Sequence, residues 1–336
     1  MSSSNFAFDL VGVGSPIMDL LAPVPESFLA HVPGEKGGMV LVDHTEMRRL
    51  LSLLEADPAC STGGSAANAT YNAARLGLRT TFVGKLGNDE LAHSYRHAFA
   101  AAGVDPGRFK SAALPNARCL ALVTPDAQRT MRTCLAAAMT LSPDEISPAD
   151  FAGCRHAHIE GYLVFNRALA DAVLAAARAA GCTVSLDLAS FEVINVTRDW
   201  IFSQLHKGID IVFANEDEIR ALFNDRTSDY AALTRRLAGY GVVAAVKLGK
   251  DGAWLAHEKN LHRIDPVSVS DVIDTNGAGD AWAAGFLYGY LRDWPLPDCG
   301  ALASHVGAET VRHLGPIIPQ THWPHVHSRA LALAPK

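Results

Sequence analysis

The sequence has no run of about eighteen apolar residues, no Cys-x-x-Cys pair and no Lys/Arg-rich block. The first absence argues against a membrane-spanning helix. The opening Met1-Ser-Ser-Ser-Asn-Phe6 also lacks the basic start and apolar stretch of a secretory leader, so a cytoplasmic location is expected. The six cysteines, Cys60, Cys119, Cys134, Cys154, Cys182 and Cys299, are scattered; they predict neither a zinc cluster nor a redox dithiol and read as buried or semi-buried free thiols. With a formal net charge of −6 and no basic block, neither nucleic acid nor an anionic membrane is an expected partner. An anionic ligand must then be held by local features, such as backbone amides and a metal ion. There is no Gly-x4-Gly-Lys-Ser/Thr segment, which excludes a Walker-type phosphate loop.

What is present suits one large core: 336 residues, 49% of them hydrophobic and 19% charged. Length alone would allow two domains, but no Pro/Gly/Ser linker, repeat or low-complexity block divides the chain. Phe6–Gly14 is a short apolar run ending in glycines, the pattern of a buried strand entering a turn. Ser65–Leu76 predicts a helix ended by Gly77, Thr80–Gly84 a strand and Asp89–Ala102 a helix. The alternation resumes with strands at 157–160, 183–187, 209–213 and 242–246, an alanine-rich helix at 167–180, and helices near 278–292 and 297–313. Such repeats predict an α/β fold with a mostly parallel sheet covered on both faces. Two segments, about 16–42 and 118–135, carry β-prone runs without prompt crossover helices; they are expected to pair as a small separate sheet, a lid over the active site.

Chemistry concentrates in Asp274-Thr-Asn-Gly-Ala-Gly-Asp280, between β-prone Val267–Ile273 and a helix. A glycine-rich turn at a helix start exposes backbone N–H groups, and the helix dipole favours negative charge there. Asp280 is placed to take the proton of a hydroxyl attacking phosphorus. The bland alternative is a carboxylate that merely stabilises the first turn.

This segment resembles the C-terminal signature of the ribokinase-like (PfkB) family of carbohydrate and nucleoside kinases. The resemblance implies an anion hole at Gly277, Ala278 and Gly279, a catalytic base at Asp280 and a monovalent-cation role for Asp274. Thr62-Gly63-Gly64-Ser65-Ala-Ala-Asn68 is similar to the family's double-glycine signature, which implies a lid hinge at Gly63 and Gly64 and a substrate contact at Asn68; the alternative is a turn with Ser65 as N-cap. Asp19, after Gly14-Ser-Pro-Ile-Met, resembles the carboxylate that binds substrate hydroxyls, against the alternative of a solvated loop residue. Asn215-Glu-Asp-Glu218 matches the family's Asn-x-x-Glu element, implying a nucleotide contact at Asn215 and Mg²⁺ near Glu218, acting through water; a charged first turn is the alternative. Lys247, Gly249 and Gly252 follow another strand end and are assigned, with Asn276, to the nucleotide side.

The implied fold is a ribokinase-like three-layer α/β/α sandwich with a small β-sheet lid, and the implied cofactors are ATP, Mg²⁺ and K⁺. Ser15-Pro-Ile-Met-Asp19, Ser65 and Asn276 look closer to adenosine kinases than to ribokinases, as do Arg129-Thr-Met-Arg132 and the following 135–138 segment. Tyr162, beside Gly161 after a strand, is a candidate for stacking on a base, or else a half-buried core tyrosine. A nucleoside kinase acting on a primary ribose hydroxyl is the leading expectation. A sugar kinase (ribose, fructose or a keto-deoxy sugar acid) is the alternative within the class, and a silent nucleotide-binding regulator the alternative outside it. A dimer through the lid is conceivable, since a small uncovered sheet exposes edges and an apolar face. Two readings are set aside: Gly12-Val-Gly14-Ser-Pro-Ile17 lacks the third glycine of a dinucleotide fingerprint, and His156, His158, His322, His325 and His327 have no Cys or carboxylate partner at ligand spacing, so they read as surface histidines.

Overall fold

The computed structural model describes residues 6–126 and 128–335; the N-terminal residues 1–5, read above for a leader, lie outside them. In chain order the strands are β1 Phe8–Val13, β2 Ile17–Pro23, β3 Met39–Leu41, β4 Ala59–Gly63, β5 Thr80–Val83, β6 Lys85–Leu86, β7 Val104–Asp105, β8 Lys110–Ser111, β9 Ala117–Val123, β10 Arg129–Cys134, β11 Cys154–Glu160, β12 Thr183–Asp187, β13 Ile211–Asn215, β14 Val243–Lys247, β15 Ala253–His257 and β16 Asn260–Ile264. The helices are α1 His44–Ser52, α2 Ser65–Leu76, α3 Glu90–Ala102, α4 Arg167–Ala179, α5 Phe191–Leu205, α6 Glu216–Phe223, α7 Tyr230–Ala238, α8 Ala278–Tyr290, α9 Leu296–Thr310 and α10 Trp323–Leu333.

A nine-stranded sheet runs in the order β16-β15-β14-β13-β12-β11-β1-β5-β7, parallel from β7 to β14 and antiparallel at its β15 and β16 edge. Successive residues of a strand point to opposite faces. In β1, Val11 and Val13 enter a core with Val173, Ile194 and Leu222 from the α4, α5 and α6 side. Leu10 faces the other way, into a core with Ala73 of α2, Phe286 of α8 and Ala303 of α9. Three layers result, and the parallel sheet is covered on both faces. Among the described residues no helix is long and apolar enough to cross a membrane.

The second sheet, β3-β10-β9-β2-β4, has one face packed and one open. Met18 and Leu20 of β2, with Leu120 and Leu122 of β9, pack on Met47, Leu50, Tyr95 and Phe99 from α1 and α3. The alternate residues Ile17, Asp19, Leu21, Cys119, Ala121, Met131 and Thr133 line a cavity between the two sheets. The period of 2 thus sorts this sheet into a core face and a cavity face.

Several sequence expectations change. Strand β4 was unexpected because Thr62-Gly63-Gly64 reads as a turn; Gly63 instead ends a strand, paired with Ile17, and Gly64 is the N-cap of α2. Val267–Ile273 is neither strand nor helix; the Ile273 N–H goes to the Val311 carbonyl at the end of α9 rather than to a strand. His156 and His158 are buried in β11, a central strand, bonding Thr183 and Ser185 of the neighbouring β12. Cys60 is exposed, whereas the other five cysteines are buried.

Phe99 is the hub of an aromatic cluster beneath the small sheet, with ring centroids 4.6 Å from Tyr95 and 5.7 Å from both Phe82 and Phe109. Tyr95 in turn donates its hydroxyl to the Gly63 carbonyl at 2.9 Å. Phe99→Ala is expected to cost about 3–5 kcal/mol in urea-denaturation equilibrium. A loss under about 1 kcal/mol would contradict this packing role.

Candidate active site

The cavity has a volume of about 1630 Å³ and lies at the C-terminal ends of the parallel strands, where α/β sheets place ligands. Its floor is built around Asp280. Gly277 precedes α8 at φ +74°, and a Cβ there would meet the Pro316 Cβ at 2.3 Å, so a glycine is required to start this helix. The first-turn amides of a helix have no intrahelical partner. Here the Ala278 N–H is taken by the Thr275 carbonyl at 3.3 Å, and the N-cap offers no side chain to the rest. Gly277, Ala278, Gly279 and Asp280 line the cavity.

The Asp280 carboxylate accepts the Ser65 hydroxyl and the Asn68 amide, each at 2.9 Å. Both donors come from the first turn of α2, so two helix N-termini meet over one carboxylate. Burial pushes Asp280 up to about 7, against the bond from Asn68. Asp19, on the cavity face of β2, is also pushed up to about 7 by burial, against the charge of Arg129. A Cβ on Gly63 would stand 2.5 Å from an Asp19 oxygen, so this glycine clears space for the carboxylate.

Most of the expected site residues line this cavity: Asp19, Gly64, Asn68 and Tyr162 toward the small sheet, and Asn215, Glu218, Lys247, Gly249, Gly252 and Asn276 toward β13 and β14. Gly63 and Asp274 stand behind it. Asn215 and Glu218 form a reciprocal cap of α6: Asn215 Oδ1 accepts the Glu218 N–H at 2.9 Å, while Glu218 accepts from the Asn215 N–H and Nδ2 at 2.8 and 2.7 Å. Glu218 is thus a helix-start carboxylate as well as a cavity residue, and burial followed by the charge of Asp187 raises it to about 7. Asp274 was expected to help hold a monovalent cation. Its Oδ2 accepts Arg129 of β10 at 2.5 Å and the Gly315 N–H at 2.6 Å, and its Oδ1 accepts the Asn276 N–H at 3.1 Å. Arg129 ties the small sheet to the 274–280 loop.

Two buried carboxylates escaped the sequence reading. Glu160, ending β11, accepts the Ser15 N–H at 2.9 Å and the Ala66 N–H of α2 at 3.2 Å; burial raises it to about 7. Asp187, ending β12, is paired with Lys247 Nζ at 2.9 Å. Burial works against the Lys247 charge, but Asp187 and Glu218 hold it protonated. A Cβ on Gly279 would lie 3.3 Å from that ammonium, so Lys247 reaches the first turn of α8. The available signal was position: both carboxylates end parallel strands. Asp19, Glu160, Asp187, Glu218 and Asp280 line the cavity, against the basic side chains Arg129, Lys247 and Lys250. This excess of oxygen donors fits a hard divalent cation.

Asp280 binds its proton more tightly folded than unfolded. Its contribution to stability is full below about pH 4 and is lost as pH rises through about 7. His156 and His158, held neutral by burial with values near 3 and 4, push the other way as pH rises toward 6.5, so the variant-minus-native difference isolates Asp280. In buffer free of metal and nucleotide, Asp280→Asn is expected to gain thermal stability relative to the native chain as pH rises from about 4 to 7, with the difference levelling off above that. Parallel melting-temperature curves for the two proteins would refute the raised value.

A family model, pfkB family carbohydrate kinase, matches residues 39–323. A nucleoside kinase of Methanothermobacter thermautotrophicus is 29% identical over 84% of this chain and 91% of its own length. Among solved structures, a probable sugar kinase from Rhizobium etli CFN 42 is 28% identical with TM-score 0.86, over 98% of this chain and 100% of that one. The adenosine kinase from Sinorhizobium meliloti is 29% identical with TM-score 0.83, over 97% and 99%. These likenesses establish the ribokinase-like fold. The chain belongs to the pfkB family of carbohydrate kinases and is a phosphotransferase acting on an alcohol group of a sugar or nucleoside.

Proposed function

We propose that the protein transfers the γ-phosphoryl group of ATP, held with Mg²⁺, to the primary ribose hydroxyl of a nucleoside, with Asp280 as the general base. Kinases of this family use ATP with a divalent metal. The bound nucleotide and metal supply the transferable phosphoryl group and neutralise part of its charge.

The observation that carries the reading is the surroundings of Asp280: a carboxylate at the start of α8, held by Ser65 and Asn68, beneath a largely apolar cavity face. Held by two hydrogen bonds, the carboxylate is pre-aimed, and its raised proton affinity suits it to accept a proton near neutral pH. The first-turn amides of α8, with Lys247 beside Gly279, stabilise negative charge developing on a phosphoryl group. Asp19 and Asn68 bind acceptor hydroxyls. Glu218, with both oxygens already accepting bonds from Asn215, acts on the metal through water, and Asn215, Gly249, Gly252 and Asn276 border the nucleotide.

The acceptor is inferred from the small sheet. Ile17, Leu21, Ala121 and Met131, together with Met39 and Leu41, present an apolar surface to the cavity around Asp19. A free monosaccharide has little apolar area to cover it, whereas a base does, and Tyr162 also lines the cavity. Among the described residues, the small sheet's one basic side chain lining the cavity, Arg129, is already paired with Asp274, which disfavours a sugar acid. The exposure of Met39 and Leu41 is accordingly assigned to the acceptor rather than to a second copy of the chain.

ADP release from Mg²⁺-ATP across a panel of nucleosides and monosaccharides tests the acceptor. A purine nucleoside is expected to exceed ribose in kcat/KM by at least about tenfold; a faster monosaccharide would replace this reading with that of a sugar kinase. Asp280→Asn is expected to lower kcat by about 10²–10⁴ with little change in KM, and native kcat/KM should rise with pH through about 7 as the base loses its proton. Full activity in Asp280→Asn would remove the proposed base.

A further inference from the structure

The histidine-rich C-terminal segment has a carboxylate partner that its own spacing does not show. Glu309, in the last turn of α9, is buried, and its Oε1 lies 3.1 Å from His313 Nε2 and 3.0 Å from His322 Nδ1. The three atoms lie within 4.8 Å of one another. His313 lies three residues past the end of α9, and the turn there, with the Arg312 and His313 N–H groups bonded to the Glu309 and Thr310 carbonyls, keeps its ring beside Glu309. His322 is delivered from 13 positions further on by the turn that leads into α10. The other carboxylate oxygen, Oε2, lies 3.3 Å from Arg312 Nη1, which orients the group and leaves Oε1 to the imidazoles.

We propose that Glu309, His313 and His322 form a binding site for a single Zn²⁺ ion, separate from the carboxylate-rich kinase cavity. Zinc bonds of about 2.0–2.2 Å set tetrahedral ligand atoms about 3.4 Å apart, so the observed 3.0 and 3.1 Å spacings need to open by only a few tenths of an ångström. Two imidazoles and one carboxylate are a zinc ligand set, and imidazole donors disfavour Mg²⁺ and Ca²⁺. The His322 side chain is 47% exposed, which gives the ion a way in and leaves the fourth position to water. Arg312, as an outer partner of the carboxylate, fixes ligand direction.

The site is joined to the kinase centre through the backbone. Val311, between two of the ligands, accepts the Ile273 and Asp274 N–H groups at 2.8 and 3.2 Å. Zinc binding therefore pins the end of α9, the start of α10 and the support of the 274–280 loop together.

The test is calorimetric titration of the chelator-stripped protein with Zn²⁺, in excess Mg²⁺ to occupy the carboxylate cavity and with Cys60→Ser to remove the exposed thiol. One equivalent is expected to bind and to raise the melting temperature. His322→Ala should weaken binding at least about tenfold and abolish the thermal shift, while His325→Ala, an exposed neighbour, should change neither. Co²⁺ in place of Zn²⁺ should give the visible bands of a four-coordinate site in the native chain and lose them in Glu309→Gln. Absence of stoichiometric binding, or equal affinity in His322→Ala, would overturn the proposal.

Discussion

Asp280 accepts hydrogen bonds from Ser65 and Asn68, and this requires α8 and α2 to bring their N-termini to one point. Two positive helix ends then converge where the parallel strands terminate. A carboxylate is stable there only because donors replace the water it has lost. Glu160, at the end of β11, is likewise held by donors, taking the Ser15 and Ala66 amides. The glycines around it follow from the same crowding: side chains at Gly63 or Gly14 would overlap the Asp19 or Glu160 carboxylates.

The small sheet complements this polar floor with an apolar roof. Alternation along β2 and β9 sends Leu20 and Leu120 into the core with Phe99, and Ile17, Leu21 and Ala121 into the cavity. The Arg129–Asp274 pair ties roof to floor. With side chains 17% and 6% exposed, this pair is shielded from solvent, so separating roof and floor would leave a buried carboxylate without its cation. The relative position of the two sheets is thus coupled to the geometry of the 274–280 loop.

Local signals made much of this legible. Helix α2 is bounded as expected because Gly77 adopts φ +105° as its C-cap, and the Asp274–Asp280 segment has the composition of an anion-binding helix start. The alternation of strands and helices led to a mostly parallel sheet. Strand β4 was hidden because its glycines signal a turn wherever no partner strand is known, and β2 supplies that partner. Val267–Ile273 failed in the opposite sense: its backbone is bonded elsewhere, the Ile273 N–H going to the Val311 carbonyl, so strand propensity finds no partner strand.

The sequence by itself determined the fold class and singled out the glycine-rich helix start at 274–280 with its carboxylate, because those depend on residues adjacent in the chain. Tertiary structure alone decided which distant groups share a charge or a proton. Glu160 and Asp187 join the site because neighbouring parallel strands end together, Asp274 is paired with Arg129 across the cavity, and Glu309 gathers His313 and His322. The physical reason is range: a helix start or a turn is set by dihedral preferences within a few residues, whereas the protonation state and partner of a carboxylate depend on burial and on charges a few ångströms away.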